Sequence, residues 1–272
     1  MAASNAHTAS DGPRPYSHPK TTAKVLSLLE KNELEGRRIL DLGAGEGYLS
    51  HQLCNRLEQR GLKPRDVLTA CDMFPDNFQV DRVACHGADL NGQSPFADES
   101  FDFVVCQEVI EHVPNQLHLI REIHRLLRPG GKAWITTPNV MNFNSRVGSL
   151  FTGMMPLFDV LPISNNDVVH CSGHISPTSL YYLYFFAKLA GFEKVDFAID
   201  RVKRSAAFFC PPVFLAARVC KFFLDRKRRH LPYWEENKQG ADALYAWQTF
   251  VGRTIILELT RGQKAAAQRL AA

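Results

Sequence analysis

Asp41-Leu42-Gly43-Ala44-Gly45-Glu46-Gly47 is the stretch on which the fold turns. Before it, Arg37–Asp41 reads as a short apolar strand; after it, Tyr48–Gln59 reads as a helix. A glycine-rich turn from a strand into a helix permits a tight bend and lets the backbone approach a ligand closely. Such a turn also serves dinucleotides, so its details matter. Here the spacing is GxGxG rather than GxGxxG, and an acid, Asp41, stands two residues before the first glycine. A carboxylate there repels a pyrophosphate but suits a cationic ligand group, which disfavours an NAD-dependent dehydrogenase. The plainer alternative is a purely structural turn.

Outward from this turn, the chain alternates helix-like and strand-like segments. Thr21–Lys31 places Val25, Leu28 and Leu29 at helical spacing. Asp66–Cys71, Val83–His86, Phe101–Cys106 and Ala133–Thr137 read as strands two to five. Gln116–Arg128 is a helix with Leu117, Ile120, Ile123, Leu126 and Leu127 on one side, stopped by Pro129-Gly130-Gly131. Ser176 is a good N-cap, with Pro177 at the first helical position and Gly191 closing the helix after Leu180–Ala190. Val195–Ile199 and Thr254–Thr260 complete seven strands. Strands alternating with helices predict a mostly parallel sheet with helices on both faces.

Two further acids fall at strand ends. Asp72 closes strand two, where a carboxylate can accept both hydroxyls of a ribose. Asp89, in Gly87-Ala88-Asp89-Leu90 after strand three, can take an adenine amino group or be a solvated loop acid. With Phe101–Val113 and Leu126–Asn139 (LLRPGGKAWITTPN), these segments resemble the ordered motif set of class I S-adenosylmethionine (SAM)-dependent methyltransferases over roughly residues 20–200. That resemblance implies an α/β, Rossmann-like sheet of order 3-2-1-4-5-7-6 with the seventh strand antiparallel. It implies SAM as cofactor, the Gly43, Gly45 and Gly47 loop around its methionine part, and Asp41 near the amino acid end. Asp72 and Met73 fall to the ribose, Asp89 and Leu90 to the adenine, and Gln107 near the sulfonium.

Glu108-Val-Ile-Glu111-His112 follows strand four. Read plainly, Glu111 and His112 start the next segment and pack or cap it. Alternatively, the ExxEH pattern resembles ubiquinone-pathway O-methyltransferases and small-RNA 2′-O-methyltransferases. In those families two Glu and a His help hold a divalent ion beside the acceptor hydroxyl. The resemblance implies Glu108, Glu111 and His112 as ligands of a divalent ion, with His170 or His174 completing the site; carboxylates with one imidazole suit Mg²⁺ or Mn²⁺. Without a metal, His112, His170 and His174 are the candidate catalytic bases.

The 272 residues give room for one large α/β domain. The expected organisation is a disordered tail at 1–19, the catalytic domain at 20–262 and a second tail at 263–272. Insertions are expected at about 138–175, as a substrate lid, and at 201–252. The net charge of +4 is uneven: residues 201–230 carry +8, leaving −4 elsewhere. Within them, Ser205–Leu224 is interrupted by Pro211 and Pro212 and broken by Arg218 and Lys221, so it is too polar to span a membrane. From Val213 it is amphipathic, which fits either a lid helix or a helix lying on an anionic membrane surface. Seven cysteines without a CxxC spacing argue against a zinc knuckle; Cys71, Cys85 and Cys106 sit in apolar strand-like runs and read as small buried side chains, and the odd count suggests a reducing compartment.

The function expected is O-methylation of a small, lipid-linked acceptor, such as a quinone precursor or a cell-envelope glycolipid intermediate. It would take place in the cytoplasm or on the inner face of a membrane. RNA 2′-O-methylation is the alternative within the enzyme class, with nucleic acid the less favoured partner. A catalytically silent SAM-binding scaffold is the alternative outside it.

Overall fold

The computed structural model describes residues 12–158, 160, 161, 163 and 173–263. In chain order the elements are α1 (Pro19–Leu29), β1 (Ile39–Leu42), α2 (Tyr48–Gln59), α3 (Pro64–Val67), β2 (Leu68–Asp72), β3 (Cys85–Gly87), β4 (Phe101–Gln107), α4 (Gln116–Leu126) and β5 (Leu127–Pro138). There follow α5 (Phe143–Thr152), α6 (Leu180–Leu189), β6 (Phe192–Ile199), α7 (Arg204–Phe209), α8 (Pro211–Arg228), α9 (Trp234–Leu244), α10 (Trp247–Val251) and β7 (Thr254–Arg261).

The seven strands form one sheet of order β3-β2-β1-β4-β5-β7-β6, the order that the family resemblance implies. The first five are parallel, and β7 lies antiparallel between β5 and β6. Pleating sends alternate side chains to opposite faces. From β1, Leu40 and Leu42 join one core with Val104, Cys106 and the buried face of α4. Ile39 joins the other, with Trp134 and side chains of α1 and α2. On α4, Leu119, Ile120, Ile123 and Leu126 are fully buried, each stabilising the fold by about 1.5–3 kcal/mol relative to exposure.

Three local expectations are corrected. Pro129-Gly130-Gly131 does not end a helix at Arg128: α4 stops at Leu126, and β5 runs through the triplet. The triplet absorbs a register shift, Phe101 pairing with Leu127 and Phe103 with Lys132. Ser176 does not cap a helix. Its hydroxyl donates to the Val113 carbonyl (2.8 Å) and its N–H to the Glu111 carbonyl (3.0 Å), so α6 starts at Leu180 after Ser179. Pro211 and Pro212 begin α8 rather than interrupting it, because the first helical turn needs no N–H partners. The 201–252 segment is thus four helices, α7 to α10. Among the described residues no helix is long and apolar enough to cross a membrane.

Candidate active site

The carboxyl ends of β1, β2 and β4 open into a cavity of about 510 Å³. Its wall includes Asp41, Gly43, Gly45, Asp72, Met73, Leu90, Gln107, Glu108 and His112. The glycine turn is shaped as its composition requires. Gly43 has φ 81°, and a Cβ there would lie 2.4 Å from a Val109 methyl. Gly47 has φ 95° and caps α2 from the left-handed region, with Phe78 and Val80 where a Cβ would stand.

Asp41 is fully buried in β1, and its carboxylate accepts a hydrogen bond from Ser50 Oγ (2.7 Å). Burial pushes its pKa up to about 6, against the Ser50 bond, which lowers it. Asp72 is held by two backbone donors, Gly45 N–H (2.8 Å) and Phe74 N–H (2.9 Å), which fix both oxygens at the rim. Asp89, expected at the adenine, turns one oxygen to its own loop. Its carboxylate accepts from the Asn91 backbone (2.9 Å) and side chain (3.0 Å), while Ala88, Leu90 and Asn91 line the wall instead.

Residues 12–18, expected within a tail, run along the cavity mouth. Tyr16 Oη donates to Glu46 (2.8 Å), and the Arg14 N–H donates to the same carboxylate (3.0 Å). Gln107 Nε2 donates to Ser17 Oγ and to Thr22 Oγ1 (2.8 Å), leaving its buried Oε1 without a partner. The signal for this segment was thin: one tyrosine in a polar run, and a His-Pro pair at the start of α1.

The ExxEH segment leaves β4 at a bend. Glu108 has φ 54°, in the left-handed region that costs a non-glycine residue on the order of 1–3 kcal/mol. The bend is held by its N–H on Thr136 Oγ1 (3.0 Å), whose hydroxyl returns to the Glu108 carboxylate (3.1 Å). Burial raises the pKa of Glu108. Glu111 is fully buried and neither carboxylate oxygen has a hydrogen-bond partner; Thr137 approaches it outside hydrogen-bonding geometry. Burial, and secondarily the Glu108 charge, raise its pKa well above the ordinary carboxylate range.

The segment after residue 172 completes the group. Ile175 and Ser176 N–H both donate to the Glu111 carbonyl (3.0 Å each), which draws His174 over the ExxEH turn. One potential ligand atom from each of Glu111, His112 and His174 lies within 4.8 Å of the others. The two rings sit edge to face at 4.9 Å. Each imidazole faces a backbone carbonyl through Nδ1: His112 that of Gly173 (3.0 Å), His174 that of Leu157 (2.8 Å). A carbonyl only accepts, so Nδ1 carries the proton and Nε2 keeps its lone pair, the arrangement of metal-ligating histidines. Burial, then the neighbouring His174, lower the pKa of His112 and keep it neutral.

A buried carboxylate without partners beside two such imidazoles fits a divalent ion. The set differs from the one expected. Glu108 turns to Thr136 instead of joining the cluster, while His174, one of the two histidines expected to complete the site, does join it; His170 lies outside the described residues. One carboxylate and two imidazoles suit Mn²⁺, one of the two ions expected, or Zn²⁺ or Fe²⁺, better than Mg²⁺.

A second cavity, about 420 Å³, shares Tyr16, Ser17 and Glu108 with the first. It is also lined by His18, Leu157, His174, Arg201 and Arg253. Sequence reasoning read Arg201 only as part of the basic segment and passed over Arg253; both lie more than ninety residues from Glu108.

Residues 16–196 match the family described as "Methyltransferase domain". Among curated relatives, the ubiquinone biosynthesis O-methyltransferase of Xanthomonas oryzae pv. oryzae is 32% identical over 140 residues, 47% of this chain and 54% of that protein. Its namesake in Xanthomonas euvesicatoria pv. vesicatoria is 33% identical over 141 residues, with the same coverage. The chain thus spans about half the length of the curated relatives it matches. Two solved structures share the fold. Phosphoethanolamine N-methyltransferase 2 from Haemonchus contortus, in complex with SAM, has a TM-score of 0.51 at 17% identity, covering 93% of this chain and 54% of that one. A SAM-dependent methyltransferase from Methanosarcina mazei has a TM-score of 0.52 at 14% identity, covering 87% and 98%.

Proposed function

The chain belongs to the class I SAM-dependent methyltransferases, and from that premise we propose that it transfers the methyl group to a hydroxyl oxygen of a small acceptor. The observation that carries this reading is the Glu111–His112–His174 cluster, set where the two cavities meet at Glu108. The first cavity has the size and strand-end position for the cofactor. The second has room for one acceptor ring. Ubiquinone-pathway relatives at 32–33% identity support a catechol-like or quinone-precursor acceptor.

The sulfonium is already an activated donor, so the protein's work is alignment and removal of one proton. We assign Asp41 to the amino acid end of SAM, Asp72 and Met73 to the ribose, and Leu90 with Ala88 to the adenine. Gln107 closes the cavity near the sulfonium through α1. Glu111, His112 and His174 are the residues that would hold a divalent ion, whose Lewis acidity lowers the pKa of a hydroxyl beside it. Glu108, bridging both cavities, is positioned to accept the hydroxyl proton.

The test is methyl transfer to catechol or 3,4-dihydroxybenzoate. Excess chelator should abolish turnover, strip the bound metal by elemental analysis and leave S-adenosylhomocysteine (SAH) affinity unchanged. Glu111→Gln and His174→Ala should act as chelation does. Full turnover in chelator would remove the metal from the mechanism and return the search to a base among Glu108, His112, His170 and His174.

An acceptor attached to lipid is the finer part of the proposal. It is supported by α7 and α8, where Phe208, Phe209, Leu215, Phe222 and Phe223 are each more than half exposed among basic residues.

A further inference from the structure

The second cavity contains two arginines that neither methyl transfer nor metal binding uses. They stand side by side: Arg253 N–H donates to the Arg201 carbonyl (3.2 Å), and Asn139 N–H donates to the Arg253 carbonyl (3.1 Å). Their side chains are in different states. Arg201 is ion-paired with Asp200, whose carboxylate also accepts from Thr21 Oγ1 (2.8 Å) and Thr254 N–H (3.0 Å). That charge is therefore compensated. Arg253 is partly buried, and its guanidinium has no hydrogen bond or ion pair among the described residues. Glu108, the carboxylate in the same wall, is turned to Thr136 Oγ1 instead.

A half-buried guanidinium that lines a cavity and has no hydrogen-bond partner among the described residues, its charge facing only that of Glu108, is matched by a planar or tetrahedral oxyanion, which it can grip with two parallel N–H bonds. His174, from the metal cluster, lines the same cavity. We propose that this cavity takes an acceptor carrying an anionic group, a carboxylate or a phosphate. Arg253 forks onto that group while the acceptor's hydroxyl lies toward His174 and Glu108. Arg201, fixed by Asp200, walls the anion on one side. The inference rests on the O-methylation reading for the hydroxyl but not for the anion.

The experiment is calorimetry on the full chain saturated with SAH, with catechol, 3,4-dihydroxybenzoate and phenyl phosphate as probes. The dihydroxybenzoate should bind about tenfold or more tightly than catechol, the range expected of a charge-assisted pair. Arg253→Met should erase that preference at unchanged SAH affinity, and Arg253→Lys should keep part of it. Comparing the dihydroxybenzoate with phenyl phosphate tells carboxylate from phosphate. Equal affinity for catechol and both anionic probes overturns the proposal, as does a preference that survives Arg253→Met. Arg253-dependent binding of phenyl phosphate with no methylation of either diol would keep the anion subsite and discard the hydroxyl acceptor. Methylation of catechol without any anion preference would do the reverse.

Discussion

Asp41 is the only charged side chain in β1, a strand otherwise made of Ile and Leu, and it is fully buried there. Ser50 Oγ is its one side-chain donor, and its pKa stands near 6. Two opposite consequences follow. In the free protein, a raised carboxylate pKa means that stability is present below the ordinary range near 4 and is lost as pH rises through 6. Ionisation then costs the fold about 2–3 kcal/mol. With SAM or SAH bound, the ligand's ammonium favours the ionised form. Affinity for SAH should therefore rise between pH 5 and pH 7, with a midpoint near 6. Asp41→Asn should flatten that profile, weaken binding at pH 7 by roughly tenfold to a hundredfold and raise the melting temperature of the free protein. Calorimetry across that pH range, with thermal melts of both proteins, checks each part. A steep profile that persists in Asp41→Asn would move the titration to another group.

At the scale of elements, what could be read in advance was whatever is local in the chain. The turn at Gly43–Gly47 and the α2 bounds at Tyr48–Gln59 rest on glycine spacing and apolar runs, which neighbouring residues dictate, whereas the strand order came from the family resemblance. What could not be read was assembled by carbonyls. His174 was named as a candidate, but what brings it to Glu111 is the donation of the Ile175 and Ser176 N–H groups to the residue 111 carbonyl, a crossing that no spacing rule encodes. Arg253 and the Tyr16 segment are distant in sequence for the same reason. The basic insertion offers a second case. Lys221 sits in an amphipathic pattern that marks it as solvated, yet it is the one buried residue of α8. Its Nζ lies 2.6 Å from Asp225 on its own helix and 2.6 Å from Asp242 on α9, tying the two helices together. Lys221→Met should lower the melting temperature by a few degrees, up to about 10 °C, for a loss of about 1–3 kcal/mol. The substitution keeps the apolar stem, so an unchanged melting temperature would show that packing alone joins α8 to α9.

Over the whole molecule, charge and apolar exposure coincide on one segment. Residues 201–230 hold +8 against −4 for the remainder, and α7–α8 expose seven large apolar side chains among those cations. Water is a poor solvent for that face, and a neutral apolar partner would leave the cations uncompensated. An anionic bilayer would meet both needs: the rings would enter the headgroup boundary while each nearby Lys or Arg would contribute about 1 kcal/mol. A protein docked this way can draw a lipid-linked acceptor from the membrane without extracting it fully into water. The protein should therefore sediment with vesicles containing phosphatidylglycerol. It should release as salt rises, because the screening length falls from about 10 Å at 0.1 M to about 3 Å at 1 M. Phe222→Asp with Phe223→Asp should abolish sedimentation while leaving the melting temperature and SAH affinity unchanged, since both rings are already mostly exposed. Equal sedimentation with neutral phosphatidylcholine vesicles would assign the binding to the rings alone. Failure to sediment with either kind would leave α7–α8 without a bilayer partner, and with it would go the argument for a lipid-linked acceptor.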